Sequence, residues 1–325
     1  MDKPVLIVIA GPTATGKSAL AAELARRIDG EVVSADSMQV YRHMDIGSAK
    51  VTREEMLGVP HHMIDVAEPT EEMDVSRYAK EAKACIEDIR ERGRVPILCG
   101  GTGFYIQAVT RDIDFTETTQ DTAFREECRL YAETNGPEAL HRRLAALDPE
   151  AAAQIHPNNI RRVTRALEYY RETGEPISRH NEIEKQKKSP YHLIFFGLTD
   201  EREALYARID SRVDFMLASG LMDEVRYLKA MGLTRGHVSM QGIGYKEMLD
   251  AIDGRITEEE AVRLIKRNSR HYAKRQMTYF RREDGVIWLS RADYGGDDAA
   301  ILAAVIAVVQ KETGIKAKKV SNPYA

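Results

Sequence analysis

Cysteine is scarce in this chain. Three residues in 325, Cys85, Cys99 and Cys128, fall at separations that match no metal-binding spacing. An odd number cannot pair fully within one chain, so free thiols in a reducing compartment are expected, and a disulfide-stapled or zinc-ribbon fold is excluded. Long apolar runs are missing as well, which excludes a helical membrane span. The opening "MDKPVLIVIAGP" runs directly into an apolar strand-like stretch, so no leader is expected and a cytoplasmic protein is. Charge of one sign is also missing. Lys and Arg number 47 against 51 Asp and Glu, a net −4. That excludes a uniformly basic nucleic-acid coat but leaves room for a basic face. No internal repeat or low-complexity tract is present.

What is present describes an ordinary globular enzyme-sized chain. Hydrophobic residues make up 43% and charged residues 30%. The length allows a full core plus a second module, and a monomer is the default expectation. "PVLIVIA" (Pro4–Ala10) is short, apolar and β-branched, as a buried parallel strand requires. "KSALAAELARRI" then carries helical spacing. "EVVSAD" (Glu31–Asp36) is a second strand, "VSRYAKEAKACIEDIRERGR" a helix, and "VPILCGGTG" a third strand opening into a glycine turn. Such alternation predicts a parallel sheet covered by helices on both faces. Residues 115–188 carry helical signals without a convincing strand. Strand signal returns at "YHLIFFGL" (Tyr191–Leu198) and at "VIWL", with helices between and after. The expected organisation is an α/β P-loop NTPase-like core, 1–114 and 189–315, interrupted by a helical insertion, 115–188. A disordered tail, 316–325, is expected to follow.

"GPTATGKS" places Gly11, Gly16, Lys17 and Ser18 at the spacing G-x-x-x-x-G-K-[ST], between an apolar strand and an amphipathic helix. Residues Gly11, Pro12, Thr13, Ala14, Thr15, Gly16, Lys17 and Ser18 therefore form a candidate phosphate cradle. Backbone N–H groups and the helix dipole face the anion, Lys17 supplies a point charge, and Ser18 can hold Mg²⁺. An ordinary NTPase needs a further carboxylate at the end of another core strand. "VPILCGG" ends in Cys99 and glycines instead. The available carboxylate is Asp36, at the end of the next strand in sequence. It is expected at the same sheet edge as Lys17, either as a base or substrate-orienting group or as a turn cap.

Positive charge gathers in two places. "RRVTR" sets Arg161 and Arg165 one helical turn apart. The stretch 261–282 contains no Asp or Glu, and Arg263, Arg267, Arg270 and Lys274 form one stripe on it, interleaved with Tyr272, Tyr279 and Phe280. An RNA backbone with stacked bases calls for such a face. Adjacent His61 and His62 in "PHHMID" lack a spaced acidic or Cys partner, so a structural or loop role near the phosphates is expected rather than a metal site. A small-molecule or nucleotide kinase is the alternative reading. A GTPase lacks its guanine-specifying N-K-x-D here.

In order along the chain, "GPTATGKS", "SADSMQVYRHMDIGSAK", "PHHMID", "GGTGFYIQAV", "DPEAAAQIHPNNIRRVTRALE", "GLTDEREALYARIDSRVDFMLASGLMDEV", "QGIGYKE" and "AKRQMTYFR" resemble the bacterial tRNA dimethylallyltransferases, or tRNA isopentenyltransferases. Relatives with a C-terminal zinc finger are a poorer match, since no cysteine follows Cys128. The resemblance implies transfer of a dimethylallyl group from its diphosphate to the exocyclic amine of the adenosine 3′ of the anticodon. It implies the diphosphate on the loop with Mg²⁺, and Asp36, Thr102, Arg125 and Lys17 as catalytic residues. It also implies tRNA contacts from Asp36, Ser37, Met38, Gln39, Thr102 and Arg125, from Arg161, Arg162, Val163, Thr164 and Arg165, and from Gln241, Gly242, Lys274, Arg275 and Arg281. The implied partners are the tRNA anticodon stem-loop and dimethylallyl diphosphate, with no membrane.

Overall fold

A computed structural model describes residues 3–113 and 121–318. The chain divides into two compact units, Met1–Thr110 with Pro190–Ala325, and Arg111–Ser189.

The first unit begins with β1 (Val5–Ala10), α1 (Lys17–Ile28), β2 (Gly30–Ser34) and β3 (His61–His62). After them come α2 (Val75–Glu91), β4 (Val95–Gly100) and α3 (Gly103–Thr110). The second unit holds five helices among its described residues, α4 (Thr122–Asn135), α5 (Pro137–Leu147), α6 (Pro149–Gln154), α7 (Ile160–Thr173) and α8 (Ile177–Gln186). The first unit resumes with β5 (His192–Thr199), α9 (Arg202–Ala218), α10 (Leu221–Ala230), α11 (Tyr245–Ile252), α12 (Glu258–Phe280), β6 (Val286–Ser290) and α13 (Asp298–Thr313).

All strand pairs are parallel, in the order β3-β2-β4-β1-β5-β6. Strands buried on both faces need apolar residues at every position. In β1, Leu6, Val8 and Ala10 pack on the side of α2, α3 and α10–α12, while Ile7 and Ile9 pack against α1 and α13. This two-sided burial is why "VLIVIA" shows no alternation. Sequence reading misses β3, which is two residues long and pairs only Val32 and Val33 of β2.

The long α12 starts at Thr257, whose hydroxyl accepts from Glu260 N–H, with Glu258, Glu259 and Glu260 set against the helix dipole. In the second unit, Leu140, Leu144, Val163 and Leu167 form a separate core. The first residues of the expected disordered tail are packed. Ala317 sits against the α1/α13 cluster, and Lys318 N–H donates to the Arg27 carbonyl at 2.7 Å. Residues 319–325 lie outside the described residues.

Candidate functional site

The loop after β1 turns where only glycine fits. Gly11 has φ +145°, and a Cβ there would meet the Leu198 carbonyl oxygen at 2.4 Å. Ala14 and Gly16 take left-handed φ of 63° and 88°, and α1 starts directly after. Such a turn leading into a helix N-terminus directs successive N–H groups at an anion. Five hydrogen bonds and an ion pair fix its shape. Thr13 N–H donates to Gln276 Oε1 at 3.0 Å, and Gln276 Nε2 donates to the Gly101 carbonyl at 2.8 Å. The Pro12 carbonyl accepts from Lys17 Nζ at 2.6 Å and from Thr15 Oγ1 at 2.8 Å. Arg208 Nε donates to the Ala14 carbonyl at 2.9 Å, and Asp200 pairs with the same guanidinium.

These contacts sort the eight loop residues. Pro12 has no N–H and serves as an acceptor, Thr13 spends its N–H on Gln276, and the Thr15 hydroxyl is turned inward. The expected cradle thus narrows to the remaining amides with Lys17 and Ser18.

Asp36 follows β2. The Ala35 carbonyl accepts from Thr102 N–H at 3.0 Å, which ties the end of β2 to the turn after β4. Asp36 Oδ1 accepts from Met38 N–H at 2.9 Å, so the carboxylate forms the turn, and its other oxygen has no hydrogen bond among the described residues. The Thr102 hydroxyl accepts from Ser37 N–H at 3.0 Å.

Two chambers meet at this point. The smaller, about 90 Å³, is lined by Lys17, Ser18 and His61 among others. The larger, about 410 Å³, has Ser37, Met38, Met73, Gln241, Gly242 and Lys246 in its walls. Thr13, Asp36, Ser48, Arg212 and Tyr272 line both. Asp36 and Lys17 therefore do share one site although β4 separates β2 from β1. Gln39 lines the smaller chamber, and its Nε2 donates to the Ala49 carbonyl at 3.2 Å.

Charge in the small chamber is unbalanced toward positive. Burial lowers the Lys17 pKa to about 8; Cys99 opposes this, Arg212 adds to it, and Asp36 opposes it. Burial also lowers the Arg212 pKa, against the attraction of Asp36 and Glu55. The Arg212 guanidinium has no hydrogen-bond partner among the described residues. Part-buried in the walls of both chambers, this cation is placed to meet an anionic ligand. Sequence reading missed it. The signal was its place on α9, on the same face as Leu205, Ile209 and Val213, which are buried. Burial pushes the Tyr272 hydroxyl up to about 12. No group of three His, Cys, Asp or Glu side chains gathers as metal ligands among the described residues. Ser18 and Asp36 line the small chamber, one hydroxyl and one carboxylate of the oxygen type that a hard divalent cation takes as ligands.

The basic stripe is more neutral than the sequence suggests. Across from α12, Asp210 takes both oxygens to Arg270 Nη1 at 2.5 and 2.7 Å, and Asp214 pairs with Lys266 at 2.6 Å. Arg263 pairs with Glu260. Arg267, Lys274 and Arg281 are exposed and make no ion pair among the described residues. Arg275 lies over the Tyr272 ring at 5.6 Å and lines the larger chamber. Of the interleaved aromatics, Phe280 is fully buried and Tyr279 packs on Gly103 with its hydroxyl donating to Gln107 at 2.9 Å. Only Tyr272 faces the site.

In the second unit, Arg161 and Arg162 are exposed. Val163 is fully buried in that unit's core and Thr164 nearly so, which removes both as RNA contacts. Arg125 sits on α4 and grips the buried Glu168 with two bonds of 2.7 and 3.0 Å.

A doubly covered parallel sheet, a phosphate loop at the end of β1 and a carboxylate between two chambers define an α/β protein of the P-loop NTPase-like class, arranged to hold an anion beside a second substrate. A family model described as IPP transferase matches residues 39–283, and the chain belongs to that family. A tRNA dimethylallyltransferase of Lachnoclostridium phytofermentans is 52% identical over 311 residues, covering 96% of this chain and 99% of its own. The solved tRNA isopentenylpyrophosphate transferase from Bacillus halodurans has a TM-score of 0.71 at 45% identity, over 96% of this chain and 99% of that one. A eukaryotic dimethylallyltransferase acting on tRNA has a TM-score of 0.79 at 29% identity, over 99% and 82%.

Proposed function

We propose that this chain transfers a dimethylallyl group from dimethylallyl diphosphate to the exocyclic amine of the adenosine 3′ of the anticodon, releasing diphosphate. The observation that carries this reading is the shared wall. Asp36 and Arg212 line both the phosphate-loop chamber and the larger one, so a carbon leaving a diphosphate in the first meets an amine entering from the second.

The diphosphate lies against the loop amides, Lys17 and Arg212. As the allylic C–O bond breaks, its electron pair stays on the diphosphate, where these donors stabilise it. The adenine amine forms the new N–C bond and loses a proton, which the Asp36 carboxylate accepts. Thr102 positions the Asp36 turn through Ser37. Ser18 would hold a Mg²⁺, which supplies further neutralisation of the diphosphate charge. The acceptor base leaves its stack to enter the larger chamber, past Ser37, Met38, Gln241 and Gly242. In the first unit Lys274, Arg275 and Arg281 meet the anticodon stem-loop backbone; in the second Arg161, Arg162 and Arg165 meet it, and Arg125 shares with Arg165 the buried Glu168.

The test is direct. The protein is incubated with labelled dimethylallyl diphosphate, Mg²⁺ and unmodified tRNA, and the RNA is digested and weighed. A five-carbon unit on the adenosine beside the anticodon is expected. Phosphate transfer from ATP to a small acceptor, with RNA unchanged, would overturn the reading in favour of a kinase.

A further inference from the structure

The proposed chemistry leaves His61 without a task, although it lines the 90 Å³ chamber together with Lys17 and Ser18. Its Nδ1 lies 2.9 Å from the Val59 carbonyl oxygen. A carbonyl only accepts, so Nδ1 carries the proton and Nε2 is a bare acceptor. That Nε2 is buried and has no hydrogen-bond partner among the described residues. An orphaned buried acceptor costs stability, and a ligand or proton that satisfies it recovers that cost.

The fold holds the ring in place. His61 pairs with Val32 in the short edge strand β3, and its neighbour His62 is pinned by Nε2 to Glu31 Oε2 at 2.7 Å. Glu31 is itself buried and held by Arg92 and Arg94. His62 is thus committed to the buried carboxylate, and His61 is left facing the chamber. This chamber is the narrower of the two, about 90 Å³ against 410 Å³, so an occupant meets its walls.

We infer that His61 is a ligand of the donor's diphosphate, joined to a phosphoryl oxygen through one proton held at Nε2. The inference rests on the proposed function, because it takes the donor's diphosphate to fill this chamber. The proton comes from the donor's own terminal phosphate or from solvent. No bond other than that to hydrogen is made or broken. The charged and titratable groups around the ring are Lys17, Asp36, Cys99, Arg212 and Tyr272 at the chamber, with Glu31, His62, Arg92 and Arg94 behind β3. In the ligand-free protein, burial holds the His61 pKa below its usual value; the Val59 contact opposes this and the charge of His62 adds to it. An arriving phosphate reverses the balance and raises it. The His61 contribution to affinity is therefore full at low pH and is lost as pH rises through the complex's raised pKa.

Two measurements test this with inorganic diphosphate as the probe. In the first, ¹⁵N-histidine spectra of the wild-type chain are followed while diphosphate is added, with His61 assigned by its absence in His61→Asn. The Nε2 resonance should move from the unprotonated to the protonated range. An unchanged resonance with diphosphate demonstrably bound overturns the inference. In the second, diphosphate affinity is compared between wild type and His61→Asn from pH 5.5 to 8.5. Asn keeps a donor for the Val59 carbonyl and deletes only the distal nitrogen. A loss of about tenfold to a hundredfold at low pH, shrinking as pH rises, is expected from removing one charged hydrogen bond. Equal affinities at every pH overturn the inference. If wild type binds no diphosphate at all, the donor reading itself has failed. The first measurement does not depend on how well the variant folds, since even a weak His61→Asn spectrum serves only for assignment.

Discussion

At the scale of single residues, two side chains divide the work. Asp36→Asn keeps the acceptor oxygen that Met38 N–H needs and removes the base. Single-turnover prenyl transfer should fall about 10²- to 10⁴-fold, the usual worth of a general base, with tRNA affinity within twofold by filter binding. Equal loss of both would make Asp36 structural. Lys17 gives a pH dependence with a definite sign. Its ligand-free pKa of about 8 lies below the ordinary 10.5, so the amine is charged below pH 8 and neutral above. Diphosphate affinity measured by calorimetry should weaken as pH rises past about 8, and Lys17→Arg should remove that decline, because guanidinium stays charged. The phosphate loop and Asp36 were legible in the sequence because each is a local pattern, a loop spacing and a carboxylate closing an apolar run. Arg212 and the orphaned His61 nitrogen were not. Their meaning comes from what surrounds them: a missing partner for Arg212, and for His61 a two-residue strand too short to leave a pattern.

At the scale of elements, α12 has two sides with different duties. Its inward side carries Gln276, which holds the phosphate loop to the turn after β4. Gln276→Ala strands Thr13 N–H and the Gly101 carbonyl, and chemical denaturation should show a loss of about 1–3 kcal/mol. Its outward side carries Arg267, Lys274 and Arg281. Lys274→Gln or Arg281→Gln should each lower the salt slope of tRNA binding by about one, measured by titration across ionic strengths. Arg270→Gln should leave the slope nearly unchanged, because Asp210 already occupies that guanidinium. Sequence reading counted Arg270 as free charge, since 261–282 lacks acids. The neutralising carboxylates sit sixty residues earlier, on α9, and only the packing of the two helices brings them over. Phe280, read from the sequence as a candidate stacking ring, is core instead, edge-on to Phe195 of β5. The strands fared better, because two-sided burial writes an unbroken apolar run into the chain.

At the scale of the whole molecule, two cores stand in one chain. Leu144 is fully buried in the second unit, and Leu144→Ala should cost that unit about 2–5 kcal/mol. Hydrogen exchange should quicken within 121–186 and stay as before in the sheet, as separate cores require. The helical character of this unit and its position in the chain were legible from the lack of strand signal. Its buried Glu168, gripped by Arg125, was not, since a charged residue at helical spacing reads as surface.

Gln276 has one further consequence. One amide side chain joins the rod proposed to carry the nucleic acid to the turn proposed to grip the donor. Its two bonds, from Thr13 N–H and to the Gly101 carbonyl, make the rod and the turn one continuous support for the mouth of the phosphate loop.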